Sequence, residues 1–287
     1  MNSGWPRAPV FAQRALRSTG ARLSLVMLVL FVLCAVAAPR LAPYDPREQP
    51  NADTGKNQPP SSAHPFGTDL YSRDVLSRVI YGARVSLGVS AASVLLAVTL
   101  GAIVGAVAGF TGGLVDAAAM RLVDAVLSVP RLLLLIVLVA FTGALSVGGI
   151  ILLLGLTGWA ATSRIVRAEV RALREREYVT AARAAGVPEW RILRSHILPG
   201  VIPQLIVAAT LALATVIPLE AGLSFLGLGV RPPTPSWGNI IFDGSEHADA
   251  WWVVLFPGLA IVATVLAINS LGERLREAID ARQVPRK

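Results

Sequence analysis

The sequence predicts an all-α membrane protein of six transmembrane helices, with both ends of the chain in the cytoplasm. Three observations predict it. The 287 residues are 54% hydrophobic and only 15% charged, with a mean hydropathy of +0.61, far from the make-up of a soluble domain. The apolar residues gather into runs long enough for a hydrocarbon core about 30 Å thick, which takes roughly 20 helical residues to cross. The arginines fall mostly in alternate connecting segments, the pattern of short basic loops that stay cytoplasmic.

In chain order, a cytoplasmic tail over 1–22 precedes a first crossing over 23–38, which ends at Arg40-Leu-Ala-Pro-Tyr-Asp-Pro. Arg14, Arg17 and Arg22 ahead of an apolar run, with Ala37 and Ala38 behind it, also fit a signal peptide. The loop and further spans that follow favour an uncleaved first helix. An external loop over 39–85 carries six basic and five acidic residues, but a long loop weighs little in setting orientation.

The remaining five helices form a core over 86–271. The second crossing runs from Ser86 to Phe110 and closes at Thr111-Gly-Gly. The third begins near Ala117 and continues through Pro130 to Phe141, with a bend expected because proline frees a backbone carbonyl. The fourth runs from Val147 to Ala161, the fifth from about Ile197 to Leu219 and the sixth from Trp251 to Asn269. A basic loop over 163–196 and a C-terminal tail over 272–287 fall on the cytoplasmic side, and a loop over 230–250 with three prolines in "RPPTPSWG" falls outside. The net charge of +8 is then an orientation signal rather than a nucleic-acid footprint. Cys34 stands alone in the first span, so neither a disulfide nor a thiolate metal site can be built within one chain.

Within the second span Ser93, Ala97, Gly101, Gly105 and Gly109 recur every four residues, which lines one helix face with small side chains and lets a neighbouring helix approach closely. Packing is the favoured reading over a permeation path. Arg121, Asp124 and Arg131 surround "VLSVPR". Asp124 lies one turn beyond Arg121, so a mutual ion pair is favoured over a substrate contact. Glu220 follows "ATVIPL" at the end of the fifth span, where a carboxylate can serve a gate, a lumen or a partner contact, or equally a cap or salt bridge. Trp237 is a large ring on a proline-stiffened loop, a candidate contact or lumen plug.

The stretch "YVTAARAAGVPEWRILRSHILPG", Tyr178 to Gly200, separates two apolar runs. Ala181, Ala182, Ala184 and Ala185 predict a short helix of little bulk, and Gly186 stops it. Pro188 opens another, with Trp190, Ile192 and Leu193 on its apolar side. A knob of small residues beside one aromatic suits another protein's groove, against the alternative of a self-packed hairpin.

This segment resembles the "EAA" loop of ABC-importer permeases: Thr180-Ala181-Ala182, Gly186 and Leu198-Pro199 keep its spacing, and Thr180 stands where glutamate is usual. "HPFGTDLYSRDVLSRVIYGARVSL", "EAGLSFLGLGVRPPTPSWGNII" and "LGERLREAIDARQ" are similar to segments of the second permease subunit of dipeptide and oligopeptide importers. The resemblance implies a type I importer permease in a bacterial plasma (inner) membrane, surrounded by lipid. It implies a second homologous permease, two ATPase subunits that hold ATP and Mg, and an external substrate-binding protein. Nickel complexes and haem are alternative cargoes within the same machinery.

The chain's own residues agree with that division of labour. Its two lysines, Lys56 and Lys287, belong to no G-x-x-x-x-G-K-[ST] phosphate loop, so no catalytic residue, cofactor or metal is expected here. A proton-coupled secondary transporter using Asp124 and Glu220 would be expected to carry internal inverted repeats, and none is evident. An intramembrane hydrolase using Ser224 needs a histidine at its depth, while His64, His196 and His247 lie in or beside loops.

Overall fold

A computed structural model describes residues 19–49, 55–143 and 145–280. The expected N-terminal tail up to residue 18, the C-terminal residues from 281 and Asp53 in the first loop lie outside the described residues. The helices, in order, are α1 (Thr19–Val36), α2 (Ala38–Leu41), α3 (Val75–Thr111), α4 (Gly113–Ser128), α5 (Arg131–Thr142), α6 (Val147–Arg174), α7 (Glu177–Ala184), α8 (Glu189–Ile192), α9 (Leu198–Phe225), α10 (Trp237–Ser245) and α11 (Trp251–Asp280), with a π-helical turn at Leu193–Ile197 before α9. The described residues contain no strand, only an isolated bridge between Thr68 and Asp74.

Five of these helices, α1, α3, α6, α9 with its preceding turns, and α11, are long and apolar enough to cross a membrane. The expected third span is broken. Helices α4 and α5 meet at 85° and together make a sixth candidate crossing. Val129, forced out of helical geometry by the proline that follows, is extended at φ −96°, ψ 129°, and Pro130 caps α5.

The bundle has two poles. At one, called the knob pole, α7 and α8 pack on the ends of α3 and α6 and the start of α9 through Ala106, Val166, Val170, Val179, Ile192, Ile197 and Val201. At the other, the loop pole, the segment before α3 meets α10 and the start of α11, where Phe66 stacks on Phe256 at 3.7 Å and the Trp252 indole donates to the Thr68 carbonyl at 3.0 Å. Between the poles one apolar core joins α3, α5, α6 and α9 around Val94, Leu135, Ile150, Leu154 and Leu223. A second joins α1, α3, α9, α10 and α11 around Ala35, Ile217, Trp237 and Ile268.

The glycine face of α3 forms its broadest contact, against α6. A Cβ on Gly101 would come within 2.6 Å of the Trp159 carbonyl, one on Gly109 within 2.7 Å of the Arg167 carbonyl, and one on Gly105 would strike the Ser163 carbonyl. Ser93 and Ala97, on the same face, are buried, and Ala97 lies beside Gly158 of α6. Backbone thus rests on backbone along three turns, an approach open only to glycine.

Helix α3 begins at Val75, well before the crossing expected from Ser86. Asp74 caps it, accepting from the Ser77 backbone N–H and hydroxyl at 2.7 Å each. The expected outer loop over 230–250 holds a helix of its own, α10, with a capping box from Ser236 and Asn239.

Candidate functional site

The knob is built from sequence upward. Helix α7 turns Val179 inward, where it is fully buried, and leaves Thr180, Ala181, Ala185 and Gly186 on the exposed side. It ends in a Schellman motif: Val187 N–H donates to the Ala182 carbonyl at 3.1 Å and Gly186 N–H to Arg183 at 2.9 Å. Gly186 supplies the left-handed conformation the motif needs, at φ +76°. Pro188 caps α8 in an extended conformation, which starts the second arm of the hairpin.

Cross-links make the hairpin rigid. Arg183 grips both oxygens of Glu189, at 2.7 and 3.1 Å, and that hydrogen bonding holds the guanidinium above its ordinary range. The Tyr178 hydroxyl donates to the His196 carbonyl at 3.4 Å, and burial raises the phenol's pKa. Ile192 is fully buried, whereas Trp190 is 61% exposed, with the Arg191 guanidinium 5.5 Å from its ring centroid. Trp190 therefore leaves the apolar side on which the sequence grouped it with Ile192. Leu198 and Pro199 open α9 directly beyond the π turn, with Leu198 exposed.

The candidate lumen residues are placed differently. The Asp124 carboxylate pairs with Arg164 of α6, not with Arg121 as expected. The reason is the α4–α6 contact, which brings a guanidinium from another helix to an exposed carboxylate. Glu220 is fully buried. Its Oε1 accepts from the Ser224 hydroxyl at 2.8 Å, while Oε2 lacks a hydrogen-bond partner among the described residues, and no cation pairs with it there. It faces the interior of the chain rather than an open channel. Trp237 is also fully buried, against Phe31 at 6.1 Å, which makes it a core residue and removes it from the outer contact surface.

Two charged clusters were not foreseen from sequence. At the loop pole Asp69 accepts from Arg73 Nε at 2.7 Å and from Arg78, and Asp243 of α10 accepts from both arginines at 2.8 and 2.9 Å. The i, i+4 spacing of Asp69 and Arg73 was a usable signal; the partner from α10 was not. At the knob pole Asp116 of α4 pairs with Arg167 and stands 3.6 Å from Arg171. In mid-bundle the Arg131 guanidinium reaches the Leu154 carbonyl at 2.7 Å.

Comparison with known proteins places this architecture. Residues 97–284 match the family described as binding-protein-dependent transport system inner membrane component, and residues 10–60 match the N-terminal TM domain of oligopeptide transport permease C. The chain is 40% identical over 279 residues to the di/tripeptide transport system permease protein DppC of Pseudomonas aeruginosa, covering 95% of this chain and 91% of that protein. It is 40% identical over 262 residues to the dipeptide transport system permease protein DppC of Bacillus subtilis, covering 90% and 80%. Its fold is similar to that of a chain of the MetNI methionine ABC transporter in an inward-facing conformation, with a TM-score of 0.59 and 21% identity over 70% of this chain and 96% of that one. With apolar helices enough for five or six crossings and matches that run through nearly its whole length, the chain belongs to the family of binding-protein-dependent transport system inner membrane components, among the multi-pass permeases of ABC importers.

Proposed function

We propose that this chain is one membrane half of an ATP-driven peptide importer, and that the α7–α8 knob is where an ATPase subunit grips it. The observation that carries the reading is the knob's construction. One face is buried in the ends of α3, α6 and α9, and the other presents small side chains and the exposed Trp190 ring. A displacement of the knob is therefore passed to three spans at once. Relatives that share 40% of its residues are named for di/tripeptide or dipeptide transport, which supports peptides as the cargo over nickel complexes or haem.

On this reading the knob pole and both chain ends lie in the cytoplasm. The loop pole then faces an external substrate-binding protein, and a second, homologous permease completes the path. ATP and Mg belong to the two ATPase subunits, so the free energy of hydrolysis enters through the knob. The test is reconstitution. Purified alone in lipid, the chain should hydrolyse no ATP; with the second permease, the ATPases and the binding protein, peptide uptake should depend on ATP. Uptake driven instead by a proton gradient without ATPase subunits would replace this reading with secondary transport.

A further inference from the structure

Beside the knob, between the α3–α4 turn, the end of α6 and helix α7, lies an open cavity of about 470 Å³ lined by Gly112, Arg171, Arg174, Glu175, Thr180 and Arg183. Three guanidiniums face one carboxylate there, and they are unequally engaged. Arg183 spends its fork on Glu189. Arg171 reaches Asp116 only at 3.6 Å and is 54% exposed. Arg174 stands 6.0 Å from the Phe110 ring centroid and forms no ion pair among the described residues. The Thr180 side chain is exposed at the same wall.

Unused guanidinium donors next to a hydroxyl recognise an oxyanion, and a planar fork matches a carboxylate best. The source of that oxyanion follows from the walls. None of the six lining residues has an apolar side chain to hold an acyl tail, which disfavours a lipid. Thr180 and Arg183 belong to the knob itself, so whatever grips the knob also covers the cavity mouth. We propose that an acidic side chain of the ATPase subunit enters this cavity and pairs with Arg174 and Arg171, with the Thr180 hydroxyl completing its hydrogen bonds. This rests on the proposed docking of an ATPase at the knob and adds the chemistry that the docked partner must bring.

The test uses the whole complex in lipid nanodiscs and measures ATPase affinity at rising NaCl. Arg174→Gln should weaken binding about fivefold at low salt, the scale of one partly exposed ion pair, and flatten the salt dependence. Arg274→Gln, which removes a charge on α11, should do neither. Thr180→Glu would place the chain's own carboxylate in the cavity and should weaken binding as Arg174→Gln does, whereas the neutral Thr180→Gln, whose amide can still donate where the hydroxyl did, should weaken it less. The proposal is overturned if Arg174→Gln behaves like Arg274→Gln, if Thr180→Glu binds more tightly, or if Thr180→Gln is as weak as Thr180→Glu. It is also overturned if leaving out anionic lipid reproduces the Arg174→Gln loss. Wild-type complex that retains no ATPase at any salt concentration would instead refute docking at the knob, and this proposal with it.

Discussion

The indole N–H of Trp237 donates to the backbone carbonyl of Val79 at 3.1 Å, across 158 residues of chain. The two tryptophans singled out in the sequence thus have opposite structural positions. Trp237→Ala empties a fully enclosed site and should destabilise the chain by about 3–5 kcal/mol. Trp190→Ala removes a ring that is mostly in solvent and should leave the folded chain unchanged while weakening ATPase retention by about 2 kcal/mol. Thermal unfolding of each variant, followed by pull-down of the ATPase, separates them. Equal unfolding temperatures for the two variants would contradict the assignment.

Arg78 is almost wholly buried and shared between Asp69 and Asp243. Arg78→Met leaves the buried Asp69 and the partly buried Asp243 with one guanidinium, Arg73, and should cost about 3–5 kcal/mol. Asp243→Asn keeps the shape and a hydrogen-bond acceptor and should cost less. Limited proteolysis in the 55–74 loop provides the readout, because that loop should loosen first in Arg78→Met.

Gly101 and Gly88 are both on α3, but their surroundings differ. A Cβ at Gly101 meets the Trp159 carbonyl at 2.6 Å, while nothing lies within 4 Å of one at Gly88. Gly101→Val should therefore push α3 from α6 at a cost of about 1–3 kcal/mol from overpacking, and Gly88→Ala should be neutral or slightly stabilising. Comparable yields of folded protein from both would refute the close-packed face.

At Gly186 no atom lies within 4 Å of an added Cβ, so only the left-handed backbone resists substitution. Gly186→Val should cost about 1–3 kcal/mol locally, and Gly186→Asn less, since asparagine tolerates that region. Membrane insertion should be normal in both, with uptake and peptide-stimulated ATP hydrolysis falling in the order Asn, then Val. Full uptake by Gly186→Val would show that the turn does not set the knob's position.

The orientation proposed for the two poles is checked by labelling in a Cys34→Ala background. Asp249→Cys on the exposed loop-pole surface should react with an impermeant maleimide added outside intact cells. Arg191→Cys on the knob should react only after the membrane is opened. Ser236 is unsuited to this purpose, because it is a fully buried helix cap.

Much of the fold is legible in the sequence because apolar runs of span length have few alternatives in a chain with so little charge. The glycine repeat on α3 reads directly as a close helix contact, and "AAG" reads as a stopped helix, since both depend on local geometry alone. Other features depend on residues distant in sequence. The first turns of α3 fall in the expected outer loop, and Arg78 is buried there because Asp69 and, from α10, Asp243 both pair with it. Asp124 has Arg121 one turn away, yet Arg164 takes it, because which of two arginines is nearer is set by how α4 leans on α6. For Glu220 a gate and a cap are equally open in the sequence, and its full burial with the Ser224 hydroxyl on Oε1 comes from packing that no periodicity encodes.

The charge cluster at the loop pole also fixes an order of biogenesis. Asp69, Arg73 and Arg78 leave the ribosome close together, but Asp243 follows Arg78 by 165 residues, which at about 5–20 residues per second is on the order of ten to thirty seconds of translation. On the proposed orientation Arg73 and Arg78 are therefore carried across the membrane while Asp69 is the one acidic member of the cluster already made. A nascent chain halted before α10 lacks Asp243, so the arrival of α10 is what completes the ion-pair cluster that joins Arg73 and Arg78 at the loop pole.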